Sequence, residues 1–255
     1  MSATIVPAGI EEADPLPRYW CAGDPFETRF LETMSLLAPE VERFVIGAVR
    51  AGAAGAGDPA IARECAAFIH EEVEHSRVHH VFNRRLALQH IDAPAALARV
   101  RRLMKLAERW LPASGRLAVA AACEHLSALL SLWYLRAARK DHILSAETRR
   151  MFESHAREEI AHRAFVFDLM RRTGGGSLPA RVLALAAVSA AGLWCTLRLV
   201  RDLSRLDPPQ SATAPWSGSA IRLLRSGDWV PLPALVRGWL CFVRPGFHPL
   251  QLPGA

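Results

Sequence analysis

Two short runs place an acid and an imidazole three residues apart. Glu72 and His75 lie within HEEVEHSRVHH (residues 70–80), and Glu159 and His162 lie within SHAREEIAH (residues 154–162). On a helix, positions i and i+3 project from one face, so each run can offer a metal ion both oxygen and nitrogen. Carboxylate and imidazole together form a hard, mixed donor set that suits iron or manganese better than zinc. One Glu-x-x-His motif is common. Two in one chain point to a dimetal carboxylate centre inside a helix bundle, which needs one further acid from each of two other helices.

The periodicity around the motifs shows why they matter. Steps of four and three along the first run give Ile61, Cys65, Phe68, Glu72, His75, His79, Phe82 and Leu86. This is an apolar seam whose middle has been replaced by Glu and His. The second run repeats it with Thr148, Phe152, His155, Glu159, His162, Val166 and Leu169. A carboxylate buried alone is very costly, and two matched clusters call for shared positive charge. His70, Glu71 and Glu74 fall off the first seam and can be solvated; Glu158 lies off the second. His79 and His155 lie on them, each as a further ligand, a residue that orients a ligand, or a substrate contact. Asp168 is a second candidate for the orienting role.

The remaining acids come from the other helices. Glu124 lies on a seam with Leu117, Ala121, Ala128, Ser131 and Leu135, and no other acid occurs between Glu108 and Asp141. The earliest helix offers Glu32, Glu40 and Glu42. Its apolar side is Val41, Phe44, Val45, Ala48 and Val49; Glu42 lies nearer that side than Glu40 and is the choice. Glu42 precedes Glu72 by 30 residues and Glu124 precedes Glu159 by 35, so the chain repeats an acid followed by Glu-x-x-His.

Long helices must carry these residues. The pattern predicts helices near 25–50, with a break at Pro39, and near 59–89, 114–140 and 145–172. A shorter helix at 94–110 crosses between the two pairs. Asp24-Pro25, Asp58-Pro59, Asp92, Ser114 and Ser145 supply start signals; AGAAGAG (51–57) reads as a loop, and Gly174-Gly175-Gly176 as a stop. The expected fold is all-α: a ferritin-like four-helix bundle over 24–173, after an irregular arm at 1–23. A C-terminal extension at 177–255 adds an apolar helix, a linker (207–219) and a Pro-rich tail.

The chain has 255 residues, 51% of them hydrophobic, and a net charge of +6 carried almost wholly by Arg. The Arg residues are spread along helices as a solvated surface, with no basic run interleaved with aromatics, so no nucleic-acid site is expected. His80, His90, His125 and His142 are off-seam and read as surface or partner residues. The five cysteines lie far apart without CxxC spacing, which fits reduced thiols and a cytoplasmic location, and no secretory leader opens the chain. Residues 182–197 are uncharged. As a helix they extend about 24 Å, short of a hydrocarbon core of about 30 Å. Three uses stay open: a buried or lid-forming helix, a peripheral membrane contact, and a span. A homodimer contact is a fourth.

The segments FIHEEVEHSRVHHVFN (68–83), ACEHLSALL (122–130), SHAREEIAHRAFVFD (154–168) and RPGFHP (244–249) together resemble the bacterial family described as predicted metal-dependent hydrolases, a family placed with ferritin-like proteins. APEVERFV (38–45) is similar to that family's Gly-Glu-x-Phe-Phe pattern, which supports Glu42. The spacing His155-x-x-x-Glu159-x-x-His162 also resembles the di-iron arylamine N-oxygenases. That resemblance implies His155 as a seventh ligand beside Glu42, Glu72, His75, Glu124, Glu159 and His162. The expected cofactor is two metal ions, Fe first and Mn second. The expected reaction is O2 activation on an apolar or aromatic small molecule, with an electron donor the sequence does not name. The alternative is hydrolysis by a metal-activated water.

Overall fold

The computed structural model describes residues 16–87, 89, 93–136, 141–143, 145–207 and 232–252. The Asp92 start signal, His90, residues 1–15 of the arm, and 208–231, which hold most of the linker, lie outside these. Among the described residues the regular structure is helical, with one isolated bridge between Cys21 and Ile143.

Helix α1 spans Pro25–Ala56, and Asp24 caps it by accepting the Glu27 N–H at 3.0 Å. The expected break at Pro39 does not occur. Pro39 has no N–H for the Ser35 carbonyl, and Asn83 from the neighbouring helix fills the vacancy, its Nδ2 donating to Ser35 O at 2.8 Å. Nor is 51–57 a loop: α1 runs through Ala56 and stops at Gly57, whose φ of 65° is left-handed. Alanine favours helix, and Gly52 sits where a Cβ would lie 2.9 Å from Leu117 Cδ1, so that glycine serves close packing.

Helix α2 (Pro59–Ala87) follows after Gly57 and Asp58. Then come α3 (Ala93–Trp110) and α4 (Ala113–Arg136), which starts one residue before the expected Ser114 cap. The single helix expected over 145–172 is two, α5 (Ala146–His162) and α6 (Phe165–Arg172). At the interruption Arg163 folds back: its Nη1 donates to Ile160 O, and its Nε donates to Pro249 O at 3.3 Å. Helices α7 (Leu178–Ser204) and α8 (Leu232–Cys241) complete the fold, with a short 3-10 turn at Pro249–Gln251.

Helix α1 packs along α2, and α4 packs along α5 and α6; the pairs meet through α1 with α4 and α2 with α5. Helix α3 lies on α1, α7 on α1 and α4, and α8 on α4. Two apolar clusters form the core. One holds Ile61, Cys65, Phe68, Leu117, Val166 and Leu169; the other holds Trp20, Leu36, Phe82, Leu86, Met151 and Phe152. Along α2 and along α5–α6 the acids and imidazoles fall between these clusters, so the polar layer has grease at both ends. The stretch before α1 is anchored by fully buried Trp20, whose Nε1 donates to Glu32 Oε1 at 3.2 Å. Arg29, equally buried, grips Asp207 and Glu32.

Candidate metal centre

The structure gathers Glu42 from α1, Glu72 and His75 from α2, Glu124 from α4, and His155, Glu159 and His162 from α5. All are buried except His155, whose side chain is 17% exposed. Donor atoms of Glu42, His75, His155 and Glu159 lie within 4.8 Å of one another, as do those of Glu72, His75 and His162. These are two adjacent ion-sized groups sharing His75. Glu124 faces the same centre, its carboxyl repelled by Glu72, Glu159 and Glu42.

The other acids of α1 are committed elsewhere. Glu32 takes Arg29 and Trp20, and Glu40 takes Arg101 at 2.7 Å. Asp168 does not join the centre either. It is half-exposed and accepts from His248 Nε2 at 2.9 Å. His79 is buried beside the centre, its ring centroid 4.6 Å from that of His155. The Ser35 hydroxyl donates to Asn83 Oδ1 at 2.8 Å, so it must accept from His79 Nδ1, also at 2.8 Å. His79 Nε2 is then a bare, buried acceptor.

Two acids that lie off the seams turn out to serve the site. His162 directs Nδ1 at Glu72 Oε1 (2.8 Å) and Nε2 at Glu71 Oε2 (2.5 Å). His75 directs Nδ1 inward, 3.6 Å from Glu159 Oε1 and 3.8 Å from Glu72 Oε1, and Nε2 outward to Glu158 Oε2 at 2.9 Å. In each run the acid just before the inner Glu therefore reaches across to the other helix's imidazole. The result is a reciprocal cross-brace between α2 and α5. The sequence signal was the doubled acid, Glu71-Glu72 and Glu158-Glu159, present in both halves. Ser76 was also missed: its Oγ donates to Glu42 Oε2 at 2.5 Å.

His125 is a correction as well. It is fully buried, donating through Nε2 to Gly238 O at 3.0 Å and packing against Phe242 and Phe247. It ties α8 and the tail to α4 next to Glu124. His80 is exposed, and His142 is partly exposed near Glu27.

The halves are not identical, and one difference lies next to the inner Glu. His155 lies four residues before Glu159, and the residue four before Glu72 is Phe68. Phe68 stacks on Phe165 at 4.4 Å and lies 5.0 Å from the His162 ring. One side of the centre thus meets an imidazole and the other an aromatic wall.

The electrostatics describe a site charged for cations. Burial pushes the Glu42 and Glu124 carboxyls well above the usual carboxylate range, and repulsion from Glu72 adds to it. Glu72 is raised too, by burial first. Burial works against ionising Glu159, yet His155 and the His75 hydrogen bond hold it at about 2. Burial likewise opposes a charge on His75, but Glu158 and Glu159 raise it to about 11. His155 is lowered to about 4 by burial. Protons thus hold the acids together in the ion-free protein.

The residues fit two cations on an independent count. Glu42 Oε1, His75 Nδ1, Glu124 Oε2 and His155 Nδ1 are all buried without a hydrogen-bond partner. Bare buried donors and acceptors of this kind are rare, and here they converge on one place.

A family model described as predicted metal-dependent hydrolase matches residues 9–252. No curated protein and no solved structure matches the chain.

Proposed function

The chain belongs to the family of predicted metal-dependent hydrolases, and from that premise we propose that its Glu/His centre holds two divalent ions and catalyses hydrolysis of an apolar or aromatic small molecule. The observation that carries the proposal is the convergence of four carboxylates and three imidazoles, four of them with bare buried atoms. Four ionised carboxylates carry a charge that two divalent ions would neutralise.

Two such ions supply Lewis-acid polarisation and an activated water. The chain's own residues do the rest. Glu42, Glu159 and His155 would flank one ion position and Glu72 and His162 the other, with His75 common to both and Glu124 facing the centre. Glu71 and Glu158 hold Nε2 of His162 and His75, which keeps each Nδ1 turned inward. Phe68 and Phe165 exclude water beside His162 and offer an apolar surface to the substrate.

A second reading is O2 activation at two iron ions, for which iron would supply the electrons. The donor set favours it: one Glu from each of two helices with Glu-x-x-His from each of two others is the ligand pattern of di-iron and di-manganese carboxylate bundles. The spacing His155-x-x-x-Glu159-x-x-His162 points the same way.

The test begins with elemental analysis, which is expected to give two ions per chain in the wild type and fewer in His162→Ala. Protein loaded with Mn, Zn or Fe is then assayed anaerobically on aryl and alkyl esters, amides and phosphates, and aerobically with a reductant for O2 uptake. Anaerobic turnover supports hydrolysis, and strict dependence on O2 and reductant supports the second reading. A wild-type chain that binds no transition metal ends both.

A further inference from the structure

Helix α7 has one face in the core and the other bare. Arg181, Ala184, Leu185, Cys195, Leu199 and Leu203 are buried. On the opposite side Leu183 is 71% exposed, Leu193 62% and Trp194 50%, with Leu197 beside them. At 100° per residue the exposed residues between 182 and 197 sweep about half of the helix circumference. Val236 and Leu240 of α8 are exposed as well. Trp239 of α8 is bonded to Ser189 of α7 through Nε1–Oγ at 2.8 Å, so the two helices share one outer surface. An apolar surface of this extent is a docking site rather than chance exposure.

Charge selects the occupant. Residues 169–255 contain 10 Arg, no Lys or Glu, and 3 Asp, a net of +7, while the whole chain nets +6. Residues 1–168 therefore net −1. The chain's excess positive charge lies in the stretch of sequence that carries the apolar face. Arg201 and Arg237 are exposed on the helices that carry that face, and Arg244 is exposed just past the end of α8. A second copy docked about a two-fold axis would set this cationic region against itself. An anionic lipid headgroup layer complements it.

The helix also lies along the bundle rather than leaving it. Arg181 is buried beneath α7, its guanidinium 5.6 Å from the Phe167 ring centroid, and it donates to Arg244 O at 2.9 Å. Drawing α7 into a bilayer as a span would tear out that contact. We propose that the outer face of α7, with the exposed edge of α8, docks in plane on an anionic lipid surface, its apolar side chains in the headgroup boundary and its arginines on the phosphates.

The test uses the full-length, metal-loaded chain with sucrose-loaded vesicles. Sedimentation is expected with phosphatidylcholine–phosphatidylglycerol (7:3) at 0.1 M salt. Binding is expected to be at least tenfold weaker to phosphatidylcholine alone, and much weaker at 0.5 M salt, where screening shortens the reach of the arginines. Leu183→Ser/Leu193→Ser/Trp194→Ser is expected to lose at least tenfold in partitioning while keeping its metal content and melting temperature. Arg201→Ser/Arg237→Ser/Arg244→Ser is expected to lose the preference for the anionic vesicles. The proposal falls if the triple apolar variant binds vesicles as well as the wild type. It falls equally if the wild type ignores vesicles and sediments as a dimer that this variant dissociates. It also falls if Trp194, isolated by difference against Trp194→Phe, is shielded from acrylamide in lipid-free monomer, since the chain itself would then cover the face.

Discussion

Replacing Glu158 by Gln keeps the side-chain volume and removes the charge that His75 Nε2 meets at 2.9 Å. Amide nitrogen or oxygen can still touch the ring, but it no longer fixes the tautomer with Nδ1 turned to the centre. Losses of this kind weaken metal affinity 10- to 100-fold, or about 1.4–2.7 kcal/mol. Glu158 is 31% exposed, and His75 is the imidazole common to both donor groups, so its removal belongs in the upper part of that range. Glu71 is 54% exposed, and solvent screens its hold on His162, so Glu71→Gln belongs near tenfold. The control is Glu74→Gln, the same charge change on α2 at a residue that pairs with Arg77. Competition titration against a chromophoric chelator, with Mn2+ or Fe2+ under anaerobic conditions, measures all three. If Glu74→Gln weakens binding as much as Glu158→Gln, net charge is the cause and the cross-brace has no role. If neither Glu71→Gln nor Glu158→Gln changes affinity, the imidazoles are held by other means.

Metal binding should release protons. Glu42, Glu72, Glu124, His75 and His162 all have raised proton affinity in the ion-free protein, so affinity falls as pH is lowered, and calorimetry in buffers of different ionisation enthalpy should count more than one proton released per ion. The same shifts govern stability. A group whose pKa is raised by folding stabilises fully below its unfolded value and loses that contribution as pH climbs through the folded value. For His75 the loss runs from about 6.5 to about 11, so the melting temperature of ion-free protein should fall from pH 7 to pH 10, and that of metal-loaded protein should fall less. Glu124→Gln removes a buried acid repelled by three neighbours; at pH 9 it should raise the ion-free melting temperature by a few degrees while abolishing most of the metal-induced gain. Asn83→Ala leaves the Ser35 carbonyl beside Pro39 without a donor and should cost about 1–3 kcal/mol in urea unfolding; an unchanged midpoint would mean that the helix tolerates Pro39 unaided.

Much of this could be read from period alone. Seam counting selects Glu72, His75, Glu124, Glu159 and His162 because buried polar residues at core positions stand out against apolar neighbours, and these are residues that the structure gathers. For Glu71 and Glu158 the doubled acid was the only trace: they sit one residue off the seam and act on the opposite helix, so their role depends on how far apart α2 and α5 lie. At the interruption after His162, Arg163 bonds the Pro249 carbonyl, 86 residues away and beyond the reach of local pattern. Pro39 and the run at 51–57 misled for a related reason. Breakers were read by propensity, while Asn83 and the close approach of Leu117 decide what the backbone does there. His125 looked peripheral because its partner, the Gly238 carbonyl, belongs to a segment far along the chain.

The exchange of Phe68 for His155 gives the centre a polarity. Both donor groups include His75 and each has one imidazole of its own, so ions seated there would differ in their surroundings and not in their nitrogen count. The His162 side borders the stacked rings of Phe68 and Phe165, and the His155 ring, 17% exposed, borders the other. An incoming apolar molecule would therefore meet a greasy flank at one seat and a polar one at its neighbour.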